Sequence, residues 1–116
     1  MDDRNAKKFQ KDLNGGLVGL VLLAVLDKSE SDLYGYEIAK RLAIANDGTS
    51  IFKEGTIYPV LRALSAADLL TSRIVPSYSG PPRRYYRITE QGRAVLAEWR
   101  AIWQTTRGFV DRFIAQ

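Results

Sequence analysis

The chain is predicted to be mainly α with a small antiparallel β element (an α+β arrangement), and three observations predict it. Leu17 to Leu26 (LVGLVLLAVL) is an apolar run about half the roughly 20 residues that cross a bilayer, and it reads as a buried helix. Ser79 to Arg93 (SGPPRRYYRITEQGR) packs a proline-stiffened turn, a basic and aromatic strand and a helix start into fifteen residues. Val95, Trp99, Ile102, Thr106, Phe109 and Phe113 recur at alternating spacings of four and three, the stripe of an amphipathic helix.

The first helix is expected from about Asp12 to Leu26, with Leu13, Leu17, Leu20 or Val21, and the later leucines facing inward. Gly15, Gly16 and Gly19 lower its propensity and leave room for a second helix to approach closely. Asp27 to Asp32 is a polar break that ends on a candidate N-cap, Ser31 or Asp32. A second helix is therefore expected from Leu33 to about Ala45, with Ile38 and Leu42 inside and Tyr36, Lys40 and Arg41 outside.

Asn46 to Ser50 is a turn cluster, and Ile51-Phe52 a short apolar clamp before a third helix at Glu54 to Ala67. Ile57, Val60 or Leu61, and Leu64 form its inner side; Thr56, Tyr58, Pro59 and Arg62 form the outer. A fully interior proline costs a helix about 3 kcal/mol, so a local bend is expected at Pro59. Two strands follow, about Thr71 to Val75 and Arg84 to Ile88, joined by a loop from Pro76 to Pro82 whose prolines suit neither a helix interior nor a central ladder. Thr89 is a good N-cap, Glu90 sits favourably in the positive first turn, and the last helix runs from Glu90 nearly to the end.

Helix, helix, helix, strand, loop, strand, long helix is the plan of a winged helix-turn-helix, in which the third helix enters the major groove and a two-stranded wing touches the flanking backbone. Residues 1–88 would form the DNA-binding part, and residues 89–116 a C-terminal dimerisation helix packed with the first helix in one compact unit. At 116 residues the chain is too short to divide into two good cores.

Lysine and arginine number 17 against 13 acids, for a net charge of +4 and a pI near 9.5, which favours an anionic partner. The absence of cysteine excludes disulfides and thiolate chemistry, and the absence of histidine removes the commonest general base; together they remove the usual metal ligands. Glu37, Glu54, Glu90 and Glu98 are dispersed, and no glycine-rich phosphate loop follows a strand. No enzyme activity, metal or cofactor is expected. Asp2 and Asp3 spoil the n-region of a signal peptide and no small-residue cleavage site follows the apolar run, so a cytoplasmic protein with no membrane partner is expected.

Three stretches resemble the PadR family of bacterial transcriptional regulators, especially its short members with a single C-terminal helix: Tyr34-Gly35-Tyr36-Glu37-Ile38, Gly55 to Leu64 (GTIYPVLRAL) and Gly80 to Gly92 (GPPRRYYRITEQG). The resemblance implies a homodimeric repressor on double-stranded operator DNA, its last helices paired, and in some members an aromatic effector near that interface. Three departures stand out. Lys53 replaces a serine or asparagine helix cap, Asp68 a helix-ending glycine, and Pro81 a basic wing residue.

The candidate DNA-binding residues are Tyr36, Lys40, Thr56, Tyr58, Arg62, Arg83 and Arg84. Thr56 lies near the helix N-terminus, Tyr58 suits phosphate or base, and Arg62 guanine or phosphate. Between Leu69 and Thr89 four arginines occur with no acid to offset them. Arg83 and Arg84 alternate across a strand, so one is expected to reach the DNA backbone and the other to pair with an acid of its own domain; Arg83, nearer the tip, is assigned to DNA. One of Tyr85 and Tyr86 is expected in the core. The last helix, widened by Leu96, Trp103 and Val110, carries more apolar area than a small three-helix core covers. A homodimer seam is therefore expected from Phe9, Leu13, Leu17, Val95, Trp99, Ile102, Trp103, Phe109, Val110 and Phe113, with Leu13, Trp99 and Trp103 as candidate ligand contacts. The rival reading keeps the winged fold as a protein-interaction module that binds acidic or apolar partners instead of DNA.

Overall fold

In the computed structural model, which describes residues 3–48 and 50–115, helix α1 (Arg4–Lys28) starts at Arg4 rather than Asp12. Its first turns are solvated and carry no apolar period to mark them; they are held instead by pairs four residues apart, Lys7–Asp3 at 3.5 Å and Lys8–Asp12 at 2.8 Å, and by Gln10 donating to Asn14 at 2.6 Å. The full helix is long and apolar enough to cross a membrane, unlike the ten-residue run within it, but its Val18, Leu22, Leu23 and Leu26 are buried in the domain core. The later leucines of the expected inner stripe are thus buried, joined by Val18, whereas Leu17, Leu20 and Val21 are only half-buried and Leu13 is exposed. Between residues 17 and 26 the helix is apolar almost all round, so periodicity does not select the face that turns inward.

The second correction is at Leu33. Neither Ser31 nor Asp32 caps a helix there; Leu33–Tyr34 forms a short strand, β1, and helix α2 (Gly35–Ala45) begins after it. The Tyr34 N–H donates to Glu37 Oε1 at 3.1 Å, which satisfies a backbone donor at the helix start. Ile38 and Leu42 face the core as expected. Helix α3 (Glu54–Ala66) continues through Pro59, buries Ile57, Leu61 and Leu64, and starts at Lys53 with no side-chain cap. Asp68, just beyond it, takes the left-handed conformation (φ 63°) that a glycine commonly supplies and that aspartate tolerates better than most residues.

Strands β2 (Leu70–Val75) and β3 (Arg83–Ile88) form the wing hairpin, in register from Leu70 opposite Ile88 to Val75 opposite Arg83. The missed β1 lies on the other side of β3, with Leu33 opposite Tyr86 and Tyr34 opposite Tyr85, giving a three-stranded antiparallel sheet in the order β1-β3-β2. Side chains alternate across it. Leu33, Leu70, Tyr86 and Ile88 face the core, whereas Tyr34, Arg73, Arg83, Tyr85 and Arg87 share the outer face.

The arginines of that face are not all unopposed. Asp32, distant in sequence, accepts from Arg87 Nε at 2.8 Å and Arg73 Nε at 3.1 Å, so two of the four wing arginines have an acid partner that the local sequence does not reveal. The hydrogen bond from Arg87, helped by that from Arg73 and opposed by partial burial, holds the Asp32 carboxyl below its ordinary value of 3.8.

Helix α4 (Glu90–Ile114) starts as expected, Thr89 Oγ1 accepting from the Gly92 N–H at 2.9 Å. The same hydroxyl faces the carbonyls of Asp68 at 2.7 Å and Leu69 at 3.1 Å, and the Thr89 N–H donates to Leu69 O at 3.1 Å. Gly92 is buried against that carbonyl, and any Cβ at this position would run into Leu69 O. Arg93 reaches back to Asp27 at 3.1 Å, tying α4 to the end of α1. Beyond these ties the helix overhangs the domain: the radius of gyration is 16.0 Å, against about 13 Å for a compact chain of this length.

Two outcomes are expected. Gly92→Ala, forced against backbone, should lower stability by about 1–3 kcal/mol, read as a drop in urea midpoint at constant m-value. Asp32→Asn should cost stability at neutral pH. Because the folded-state carboxyl titrates below 3.8, its contribution is full above that value and fades as pH falls through the lower folded value, so wild-type and variant unfolding curves should converge only in acid.

Candidate nucleic-acid interface

α2, α3 and β3 converge on a cleft of about 280 Å³ beside the loop end of the wing, lined by Tyr34, Gly35 and Tyr36, by Tyr58 and Arg62, and by Pro82, Arg83, Arg84 and Tyr86. Among the described residues no carboxylate lines it. The fold brings together here Tyr36, Tyr58, Arg62, Arg83 and Arg84 of the expected residues. Lys40 is exposed on α2 outside the cleft, and Thr56 is half-buried in the first turn of α3, also outside its lining.

Tyr58 is half-buried, and a Cβ at Gly35 would strike its ring, so the bare backbone of α2 provides the ring's seat. Burial, with the nearby Glu54 charge, pushes the Tyr58 phenol up, which keeps it a protonated O–H donor suited to a phosphate oxygen. Arg62 lies one turn further along α3 and is exposed.

Neither Arg83 nor Arg84 pairs with an acid among the described residues, contrary to the expectation for one of them. Arg84 Nη1 donates to Ser72 Oγ at 3.0 Å, and the Arg83 guanidinium lies over the Tyr34 ring, 4.5 Å from its centroid. Although they alternate on β3, both line the same cleft. Tyr86 is the buried member of its pair; Tyr85 stays on the outer face, 5.4 Å from the Tyr34 ring and beneath Arg73 at 5.2 Å. Tyr34, Gly35, Pro82 and Tyr86 are the lining residues that sequence reasoning did not place in the site. A glycine inside an expected helix was the available signal, since it often marks a close approach.

A second concavity, about 520 Å³, lies between α1 and α4 and is lined mainly by Leu13, Leu17, Leu20, Trp99, Ile102 and Trp103. Trp99 is half-buried there, its ring packed against the backbone of α1 at Gly19. Of the residues expected at a seam, Leu17, Val95, Trp99 and Trp103 are half-buried, whereas Phe9 (68%), Ile102 (62%) and Phe113 (76%) are largely exposed, as are Leu13, Phe109 and Val110. The buried one in this stripe is Leu96.

Comparison with known proteins matches residues 22–98 to the transcriptional regulator PadR-like family. A protein of Lysinibacillus sphaericus with no described function is 30% identical over 102 residues, 88% of this chain and 91% of that one. Among solved structures, a transcriptional regulator from Clostridium thermocellum superposes with a TM-score of 0.79 at 30% identity, covering 89% of this chain and 98% of the other. A PadR family regulator from Eggerthella lenta gives 0.76 at 30% identity, covering 98% and 96%. Bacillus subtilis PadR, solved in complex with operator DNA, shares the fold with a TM-score of 0.62 at 24% identity over 72% of this chain and 46% of that one. The chain therefore belongs to the PadR-like family of transcriptional regulators, a family of transcription factors and not of enzymes.

Proposed function

We propose that this regulator is a homodimeric repressor that binds a palindromic operator, with α3 in the major groove and the wing on the flanking phosphates. The observation that carries this reading is the cleft itself: three arginines and a protonated phenol, drawn from α3 and the wing, converge beside Tyr36 of α2 with no acid among the described residues of the lining. Arg62 and Tyr58 serve α3, Arg83 and Arg84 anchor backbone, and Tyr36 and Lys40 flank them from α2. Thr56, in the first turn of α3, presents the positive end of that helix to phosphate. The solution of Bacillus subtilis PadR with operator DNA supports the same use of the fold here.

Dimerisation is supported by the overhang of α4 and by its exposed Ile102, Phe109, Val110 and Phe113, together with Phe9 of α1, a row of apolar side chains along two long helices. Residues 1–88 then read DNA and residues 89–116 pair the subunits, setting the two α3 helices about 34 Å apart or a multiple of it. The α1–α4 groove, with Leu13, Trp99 and Trp103 in its wall, suits a planar aromatic effector in size and apolar lining, and such a ligand would release the operator.

Replacing Arg62 and Arg83 together with alanine should abolish binding to operator fragments enriched from genomic DNA while sedimentation still gives twice the chain mass. Wild-type affinity should fall steeply with salt as phosphate contacts release counterions; unchanged DNA binding in the variant would remove Arg62 and Arg83 from the interface, and no salt-sensitive DNA binding by wild type would favour the protein-interaction role. Planar cations or phenolics should quench tryptophan fluorescence, and the quenching should vanish in Trp99→Ala; no quenching across such a panel would remove the effector.

A further inference from the structure

We propose that Tyr34 is a positioning residue that holds the Arg83 guanidinium ready for a DNA phosphate, a role that rests on the DNA-binding reading above. The wing treats its outer-face arginines in two ways. Arg73 and Arg87 spend donors on Asp32, Arg73 while also over the Tyr85 ring at 5.2 Å, whereas Arg83 lies over the Tyr34 ring at 4.5 Å without an acid partner among the described residues. Among the described residues, no hydrogen bond or ion pair takes an Arg83 N–H.

The two modes differ in what they leave over. A carboxylate partner fixes a guanidinium by consuming its donors and cancelling its charge. An aromatic face fixes it through the ring quadrupole, leaving the charge uncompensated and the N–H groups free to bond elsewhere. The platform is itself held: Tyr34 is in register with Tyr85, their rings 5.4 Å apart, its ring stacks on Tyr36 at 6.3 Å, and its N–H is bound to Glu37. Pro82 immediately precedes Arg83 and shares the cleft, so the backbone entering the strand is restrained as well. A long side chain that meets phosphate already ordered gives up less rotamer freedom on binding.

The test uses full-length protein and a fluorescently labelled mixed-sequence DNA duplex at low salt, since a phosphate contact does not require a particular sequence. Tyr34→Leu should weaken binding on the order of two- to fivefold, the span that an exposed cation–π contact corresponds to, and Tyr34→Phe should stay near wild type. In an Arg83→Ala background, Tyr34→Leu should have no further effect. A Tyr34→Leu loss of equal size in both backgrounds would assign Tyr34 a purely structural role and overturn the proposal, as would no loss at all. If wild type binds but Arg83→Ala binds equally well, Arg83 touches no phosphate and the proposal fails while DNA binding stands. If wild type binds no duplex at any salt, the DNA-binding reading fails and takes the proposal with it. Thermal melting of each variant separates unfolding from loss of affinity; should Tyr34→Leu unfold, the Arg83 side-chain NMR signals of wild type and Tyr34→Phe decide, because a stacked guanidinium shows ring-current displacement and an unstacked one does not.

Discussion

The backbone carbonyl of Leu69 is where the two halves of this molecule meet. It accepts from the Thr89 N–H, faces the Thr89 hydroxyl, and occupies the space that any side chain at Gly92 would need. One peptide group at the start of the wing thus sets the origin of the last helix. Because backbone cannot swing aside as a side chain can, a displacement of α4 is felt at the root of β2 within a few bonds. The Arg93–Asp27 pair extends this junction to α1, so the wing, the first helix and the last helix share one anchor region.

Against this frame, the distribution of positive charge has a plain logic. Arg73 and Arg87 are committed to Asp32 and stiffen the sheet, whereas Arg62, Arg83 and Arg84 point into a cleft without carboxylates. Exposed ion pairs contribute little each, but Asp32 is largely enclosed and serves two guanidinia, which makes it a structural hub rather than a surface ornament. Four tyrosines interleave with the three arginines of the cleft, so aromatic faces alternate with charged groups along its wall.

The element order, the third helix and the wing were legible because each has a strong local signal: Ile57, Leu61 and Leu64 at helical spacing, Gly80-Pro81-Pro82 as a turn, Thr89 as a cap. The convergence of Tyr58 and Arg62 with Arg83 and Arg84 followed from that order. What escaped was set by tertiary contacts. Leu33 and Tyr34 are apolar and aromatic residues that suit helix and strand alike, and only the edge of β3 decides between them. Asp32 looked like a cap because its arginine partners lie far along the chain. The start of α1 was invisible because solvated turns have no apolar period, and its inner face was ambiguous because the run from Leu17 to Leu26 is apolar on every side.

The charge of the cleft also has a chemical permanence. The chain has no histidine and no cysteine, guanidinium groups do not deprotonate in water, and the Tyr58 phenol is pushed away from neutrality. The Tyr58 hydroxyl therefore keeps its proton across neutral pH. The proposed DNA contact thus has no histidine or cysteine through which to sense acid or oxidation, and a signal to it would have to act on shape, ionic strength or occupancy instead.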